Sequence, residues 1–351
     1  MSTQQKALFL PSKQGEWVIG TTEVPKPGPG QLLVKVEATA LNPADWKIQV
    51  YGFFLQNFPA ILGSDAAGIV EAVDEGVQGF ATGDRVLFQG FFINNPQATF
   101  QQYALSIADT TAKIPDNISF DEAATIPVGL ATAALGLFDQ YSEGSAKLFP
   151  PWENGGRGKC SGKPIVIFGG ASSVGQYVIQ LAKLAGFNPI ITTASVKNTE
   201  LLTSLGATHV LDRKLASDAL VAQVAAISQA SIEVVFDAIS LAQTQNAAFD
   251  ILAPTGQVVI VTPDQIDAAR KAAAPRKKVV SVLGNVNAPG RREAGRSLYA
   301  KVTELLEEGT IKPNRVEVLR NGLAGIPAGL KRMQNDRVSA VKLVVRPQET
   351  P

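Results

Sequence analysis

Few residues of this chain could do chemistry unaided. It has one cysteine, Cys160, and one histidine, His209. A catalytic zinc typically takes three protein ligands and a structural zinc four, with cysteine prominent. Cys160 and His209 would need carboxylates to complete either set, and no close pattern supplies them. The same shortage argues against Ser-His-Asp and Cys-His nucleophiles, because both would require His209 at the entrance of the short strand His209-Val210-Leu211. The chemistry must come largely from a bound group, and one stretch marks where it would sit. Ile165-Val166-Ile167-Phe168 reads as a buried strand and Gly169-Gly170-Ala171-Ser172 as a tight turn. Val174, Val178, Leu181 and Ala185 then share one face of a helix. The first amides of such a helix have no partner within it and point outward, where a pyrophosphate can accept from them.

Aligned on Gly170 and Gly175, this turn departs from the G-x-G-x-x-G dinucleotide fingerprint by placing Ser172 at the middle glycine. A small hydroxyl residue still permits close approach and can donate to phosphate oxygen. Cofactor choice is read at the end of the second strand, where an NAD site carries an acid for the ribose hydroxyls. The corresponding stretch, Thr192-Thr193-Ala194-Ser195-Val196-Lys197-Asn198, has none. Ser195, Lys197 and Asn198 are donors suited to a 2′-phosphate, and Arg213 after the third strand can reach the same group as a charged fork. The pattern favours NADPH.

Elements must position these residues. From Lys163 to about Leu283 strands and helices alternate, with strands expected at Ile165–Phe168, Ile190–Thr193, His209–Leu211, Ile232–Phe236, Gln257–Val261 and Val279–Leu283. That rhythm predicts an α/β fold with a doubly wound parallel sheet of Rossmann type. Residues 1 to about 125 are β-rich, with short strands at Ala7–Phe9, Gln31–Thr39, Ala67–Val73, Arg85–Phe88 and Phe100–Leu105 between Pro- and Gly-rich turns, and favour a small barrel. The last strand, Lys342–Val345, is expected to return to that barrel. The domains are therefore drawn as 1–128 with 290–351, and 129–289. Residues 142–163 carry no regular pattern, and their Phe149 and Trp152 suggest a flap near the substrate. At 351 residues two domains are expected, and 45% hydrophobic with 18% charged content suits a compact soluble chain. A net charge of +1 gives no reason to expect nucleic acid, and no apolar run is long enough to span a membrane. A signal-peptide core is absent from the N-terminal residues, so a cytoplasmic location is expected.

The order of Asn42-Pro43-Ala44-Asp45-Trp46-Lys47, Ile61-Leu62-Gly63-Ser64-Asp65, Gly83-Asp84-Arg85-Val86 and the Gly170–Gly175 turn resembles the medium-chain dehydrogenase/reductases along the whole chain. In the zinc-dependent alcohol dehydrogenases of that family a cysteine stands near Asn42 and a Gly-His-Glu near Gly63-Ser64-Asp65. Both are missing here, as is the cysteine-rich structural-zinc lobe. The chain thus looks like the zinc-independent quinone and enoyl reductases, and Gly129–Phe138, Val282–Asn287 and Val338–Leu343 are similar to the fungal trans-acting enoyl reductases and toxin-cluster relatives. The resemblance implies a GroES-like barrel beside the Rossmann unit. It places Asp45, Trp46 and Lys47 on the nicotinamide side, and Ser172, Ser173, Val174 and Gly175 at the pyrophosphate. Ser195, Val196, Lys197, Asn198 and Arg213 fall at the adenosine phosphate, with Ile260, Val261, Val338 and Ser339 also against the cofactor. Substrate would meet Gly129, Leu130, Ala131, Thr132, Ala133, Ala134, Leu135 and Gly136, together with Ser281, Val282, Leu283, Gly284 and Asn285.

The implied reaction is hydride delivery from NADPH to the C=C bond of an enone or enoyl thioester, without metal. Charge on the conjugated oxygen could be met by backbone amides, a hydroxyl such as Thr132 or water, and the proton supplied by Tyr51, Tyr103 or solvent. A quinone oxidoreductase would use the same site, and a non-catalytic NADPH-binding sensor or structural protein is the alternative of another class. The chain could act as a monomer or homodimer, and a partner synthase is compatible with the likeness.

Overall fold

The computed structural model describes residues 3–351. The first part runs β1 (Gln4–Leu10), β2 (Val18–Glu23), β3 (Gln31–Ala40), α1 (Pro43–Tyr51), β4 (Ala60–Ile61), β5 (Asp65–Val73), β6 (Arg85–Gln89), β7 (Tyr103–Ile107), β8 (Thr111–Lys113), α2 (Phe120–Ala123) and α3 (Pro127–Phe138). The alternating part follows as β9 (Ile165–Phe168), α4 (Ser173–Ala185), β10 (Ile190–Ala194), α5 (Thr199–Leu205), β11 (His209–Asp212), α6 (Ser217–Ile227), β12 (Val234–Asp237), α7 (Ala242–Ile251), β13 (Gln257–Ile260), α8 (Ala268–Ala273) and β14 (Lys278–Ser281). The chain closes with α9 (Arg292–Glu307), β15 (Val316–Val318), α10 (Ile326–Gln334) and β16 (Lys342–Val345).

Strands β9 to β14 form one all-parallel sheet in the order β11-β10-β9-β12-β13-β14. This is the order of a doubly wound dinucleotide fold, whose direction reverses between β9 and β12. Central strands such as Ile165–Phe168 are apolar throughout because helices cover both faces. The first part and the chain end share a seven-stranded sheet, and β16 pairs antiparallel with β3 through Val344 and Ala40, as its lone position in the sequence suggested. A three-stranded sheet, β2-β1-β4, joins it through the Ala7–Gln101 bridge, completing the GroES-like unit. Strand β2 escaped the sequence reading because its exposed and half-buried positions show no apolar alternation.

Residues 142–163 do not form the expected flap. The amides of Gly158 and Cys160 donate to the carbonyls of Leu184 and Ala185 at the end of α4, and Gln257 at the start of β13 donates to the Ala146 carbonyl. Trp152 is buried against Phe138 and donates to Ser297 Oγ at 2.8 Å. These anchors lie at the amino-terminal edge of the parallel sheet, whereas α4 starts at the carboxyl-terminal edge, about 20 Å away for a helix of this length; Gly144, by contrast, stands against the Ser281 carbonyl at the end of β14. Of the two aromatic residues that suggested a lid, Trp152 instead fills the core, and Phe149 stays exposed with Lys159 Nζ 5.1 Å from its ring.

Candidate active site

Gly169 takes φ +75° to turn the chain out of β9, a conformation that favours glycine. A Cβ on Gly170 would stand 2.1 Å from Thr192 Oγ1, and one on Gly175 would stand 2.3 Å from the Gly169 carbonyl oxygen. The two outer fingerprint positions therefore need glycine for packing. Ser172 is the N-cap of α4, and its Oγ accepts from the Gly175 amide at 3.0 Å. Its own O–H has no acceptor among the described residues, so the cap leaves that proton and the Ser173 and Val174 amides available to an anion. Ser173 is committed differently, its hydroxyl donating to Asn314 Oδ1 at 2.6 Å. The cradle fits a dinucleotide pyrophosphate.

At the end of β10 the Arg213 amide donates to the Ala194 carbonyl at 2.9 Å, bringing Arg213 beside the loop 195–198. Arg213 and Lys197 are both exposed, and neither has an ion-pair partner among the described residues. Asn198 Nδ2 donates to Ser339 Oγ at 3.4 Å, which joins the segment Val338–Ser339 to the same loop. Ile260 is core, and the Val261 amide is taken by Ser240 Oγ at 2.9 Å.

On the barrel side, the segment after Asn42 is a helix with Pro43 in its first turn. Asp45 is buried and accepts from the Asn42 amide at 2.7 Å, so it caps α1 from within the protein and does not face a cofactor. Burial pushes its carboxyl up to about 7, with Asp65 adding to the rise and Lys342 opposing it. Asp65 lies at the centre of a buried cluster. Its Oδ2 takes Asn42 Nδ2 at 2.7 Å and Lys342 Nζ at 2.9 Å, its Oδ1 takes the Val128 amide at 2.7 Å, and Lys342 Nζ also donates to Asn42 Oδ1 at 2.6 Å. Thus α1, β5, α3 and β16 meet on one carboxylate. A metal does not fit this donor set, because an ammonium already neutralises Asp65 and the neighbouring ligand positions hold an amide and Ser64. Among the described residues no group of three metal-ligating side chains occurs.

Lys47 is half-buried beside Trp46, its Nζ 5.8 Å from the ring, and burial lowers its pKa. Thr132 is buried and donates to the Val128 carbonyl at 2.7 Å, while Gly284 approaches so closely that a Cβ would lie 2.0 Å from Thr132 Oγ1. The rest of the α3 stretch is committed to packing. Leu130, Ala131, Ala133, Ala134 and Leu135 belong to the main core, Gly129 faces Ser173 and Tyr177, and Gly136 faces Phe236 and Val259. Thr132 is the polar exception. In the second substrate stretch Ser281 and Leu283 are exposed, whereas Val282 is core. The Gly284 carbonyl takes Gln89 Nε2 at 2.7 Å and Asn285 Nδ2 donates to the Gly90 carbonyl at 3.2 Å, so these two residues staple the alternating part to the barrel.

Tyr103 is set apart as a proton donor: it pairs with Lys35, five positions along β3 from the Ala40–Asp65 pair, about 17 Å at strand spacing. Tyr51 is exposed on the rim. Sequence reasoning missed Lys342, whose signal is a lone charge in an apolar strand, and Asp237 at the carboxyl end of β12. Asp237 is fully buried and accepts from the Ile239 and Ser240 amides through Oδ1, with Oδ2 unpartnered. Burial raises its pKa.

Comparison with known proteins agrees with this geometry. Residues 28–116 match the alcohol dehydrogenase GroES-like domain, and residues 173–294 match the zinc-binding dehydrogenase family. The trans-enoyl reductase resD of Aspergillus sclerotiorum is 33% identical over 343 residues, covering 90% of this chain and 93% of its own. The trans-enoyl reductase grgB of a Penicillium species is 29% identical over 366 residues, covering 98% and 99%. Among solved structures, mycobacterial Rv1454c complexed with NADPH superposes with a TM-score of 0.77 at 22% identity, over 98% of this chain and 100% of its own. A quinone oxidoreductase of Pseudomonas syringae pv. Tomato DC3000 gives 0.77 at 21% identity, over 97% and 99%. The chain belongs to the medium-chain dehydrogenase/reductases, with the fungal trans-enoyl reductases. It is an oxidoreductase.

Proposed function

We propose that this protein is an NADPH-dependent, metal-independent reductase of the C=C bond in an α,β-unsaturated carbonyl, with an enoyl thioester as the substrate of choice. The observation that carries the reading is the adenosine end of the site. Two unpaired cations, Lys197 and Arg213, flank a loop without an acid beside a glycine turn whose first helix amides are free. A 2′-phosphate satisfies both cations, whereas a plain ribose leaves them idle. The NADPH complex of the mycobacterial neighbour supports the cofactor, and the names of the fungal relatives support the enoyl substrate.

When bound, the reduced nicotinamide supplies a hydride to the β-carbon, and a proton from solvent completes the α-carbon, turning C=C into CH–CH. The chain's share is positioning. Ser172 O–H and the Ser173 and Val174 amides hold the pyrophosphate, while Asn198 and Ser339 close over the adenosine end. Lys47, a half-buried cation without an ion pair, is the polar group set to meet negative charge developing on the carbonyl oxygen, whereas the Thr132 proton is already given to the Val128 carbonyl. Solvent is the favoured proton source because Tyr103 is remote and Tyr51 is on the rim.

A quinone reductase reading rests on the same cleft and on the Pseudomonas syringae neighbour. Following NADPH consumption with an enoyl thioester, a free enone and a quinone separates the two, and the proposal expects the thioester to give the highest kcat/KM. Arg213→Ala should raise the KM for NADPH at least tenfold at low salt and leave that for NADH within twofold. An equal effect on both cofactors, or none, contradicts the 2′-phosphate assignment.

A further inference from the structure

Aromatic rings on the barrel side of the cleft form a continuous run. Ring centroids are separated by 6.0 Å from Trp46 to Tyr51, 6.3 Å from Tyr51 to Phe53 and 4.8 Å from Phe53 to Phe54. The run continues for 6.1 Å from Phe54 to Phe92 and 6.5 Å from Phe92 to Phe91. Tyr51 and Phe54 are 62% and 57% exposed, and Phe53 and Ile93 are 38% and 52% exposed. Isolated apolar residues are ordinary on a surface, but a connected run drawn from two distant chain segments marks a contact site. Phe54 also takes φ +70°, a conformation bulky residues avoid, and still presents its ring outward.

Both ends of the run are fastened to the cleft. Trp46 neighbours Lys47 on α1, which starts at the Asp65 cluster. Phe91 follows Gly90, whose amide donates to the Ser64 carbonyl and whose carbonyl accepts from Asn285. Leu283, 50% exposed, stands two residues before Asn285 on the opposite wall. Residues 48–64 and 86–108 contain no charged side chain, and the cations at the margin of the run are Lys47 beside Trp46 and Lys13 against Gly52.

We propose that this aromatic run is a subsite for the apolar tail of the substrate, a long linear acyl chain that leaves the cleft at Trp46 and lies across Tyr51, Phe53, Phe54 and Phe92. The proposal rests on the enoyl-reductase reading and adds to it that chain length, read outside the catalytic cleft, selects the substrate. Aromatic faces give such a chain wide apolar contact at little entropic cost. Complete burial of one CH2 strengthens binding about fourfold, and contact on one side gives about half of that free energy, roughly a factor of two.

The test compares trans-2-enoyl thioesters of N-acetylcysteamine with four and ten carbons, following NADPH oxidation. The ten-carbon substrate should show at least tenfold higher kcat/KM. The double variant Phe53→Ala, Phe54→Ala should lower its kcat/KM about tenfold and change that of the four-carbon substrate less than twofold. The four-carbon rate reports correct folding. Phe54→Gly, which relieves the positive φ, replaces the double variant if that protein is unstable. Equal kcat/KM for both lengths, or equal loss on both, overturns the subsite. If neither thioester oxidises NADPH, the reductase reading fails on its own, and calorimetric titration with the saturated butanoyl and decanoyl thioesters decides the subsite. Decanoyl binding at least tenfold tighter and weakened by the variant upholds it; equal or undetectable binding of the two overturns it. A concentration-dependent dimer that the variant abolishes, with no chain-length effect, would assign the run to a second copy of the chain and also overturn it.

Discussion

Lys342 and Asp65 show how a position associated with metal in related enzymes can become an internal ion pair. Both side chains are almost wholly buried, and Asp65 is also held by Asn42 Nδ2 and the Val128 amide. A buried pair of this kind gains little over an apolar replacement of both partners, but removal of one leaves an uncompensated charge. Lys342→Met should therefore destabilise the protein by about 3 kcal/mol, measured by chemical unfolding, with Lys342→Arg costing less. Asp45 carries a different signature. Its folded pKa of about 7 lies above the ordinary 3.8, so the folded state binds its proton more tightly than the unfolded state does. Its contribution to stability then falls as pH rises from about 4 to about 7 and is at its least favourable above that. Asp65 and Lys342 are the charged groups that act on it. Asp45→Asn should raise the melting temperature more at pH 8 than at pH 5; an equal change at both would mean that Asp45 titrates normally. Neither role was legible in the sequence. The family resemblance placed Asp45 with Trp46 and Lys47 on the cofactor side, and its bond to the Asn42 amide beside Asp65 turns it inward.

At the scale of elements, the β9–turn–α4 unit was legible almost residue by residue, because its information is local. A four-residue apolar strand, glycines where a Cβ cannot fit and a serine N-cap are each fixed by immediate neighbours. Gly175→Ala should cost about 1–3 kcal/mol and at least tenfold in NADPH affinity, since its Cβ would press on the Gly169 carbonyl and push α4 from the cradle. A variant with unchanged melting temperature and unchanged cofactor affinity would contradict that account. The helix α3 was harder to read. Its run of small and apolar residues suits either a substrate wall or a packing face, and contacts with Tyr177, Phe236 and Val259 decide for packing everywhere except Thr132. The stretch 142–163 failed for the complementary reason: its Trp152 is buried by α3 and α9, which no local pattern announces.

At the scale of the whole molecule, the six-stranded and seven-stranded sheets are fastened by a few polar staples as well as by apolar contact. Gln89, at the end of a barrel strand, donates to the Gly284 carbonyl and accepts from the Val286 amide at 2.9 Å, and its own carbonyl accepts from Asn287 Nδ2 at 2.7 Å. Gln89→Ala would leave a buried carbonyl and amide unpaired, and should lower stability by about 2 kcal/mol. It should raise the KM for substrate more than it lowers kcat, because the staple fixes the cleft width between Gly90 and Leu283. No helix among the described residues is long and apolar enough to cross a membrane. The central claim, that the cleft delivers hydride from NADPH to an activated alkene, is tested most directly by isotope transfer. With the two 4-deuterated stereoisomers of NADPH and a trans-2-enoyl thioester, one stereoisomer should give a saturated product carrying a single deuterium at the β-carbon, seen by mass spectrometry and NMR. A saturated product without deuterium from either stereoisomer, or no NADPH oxidation at all, would contradict the account.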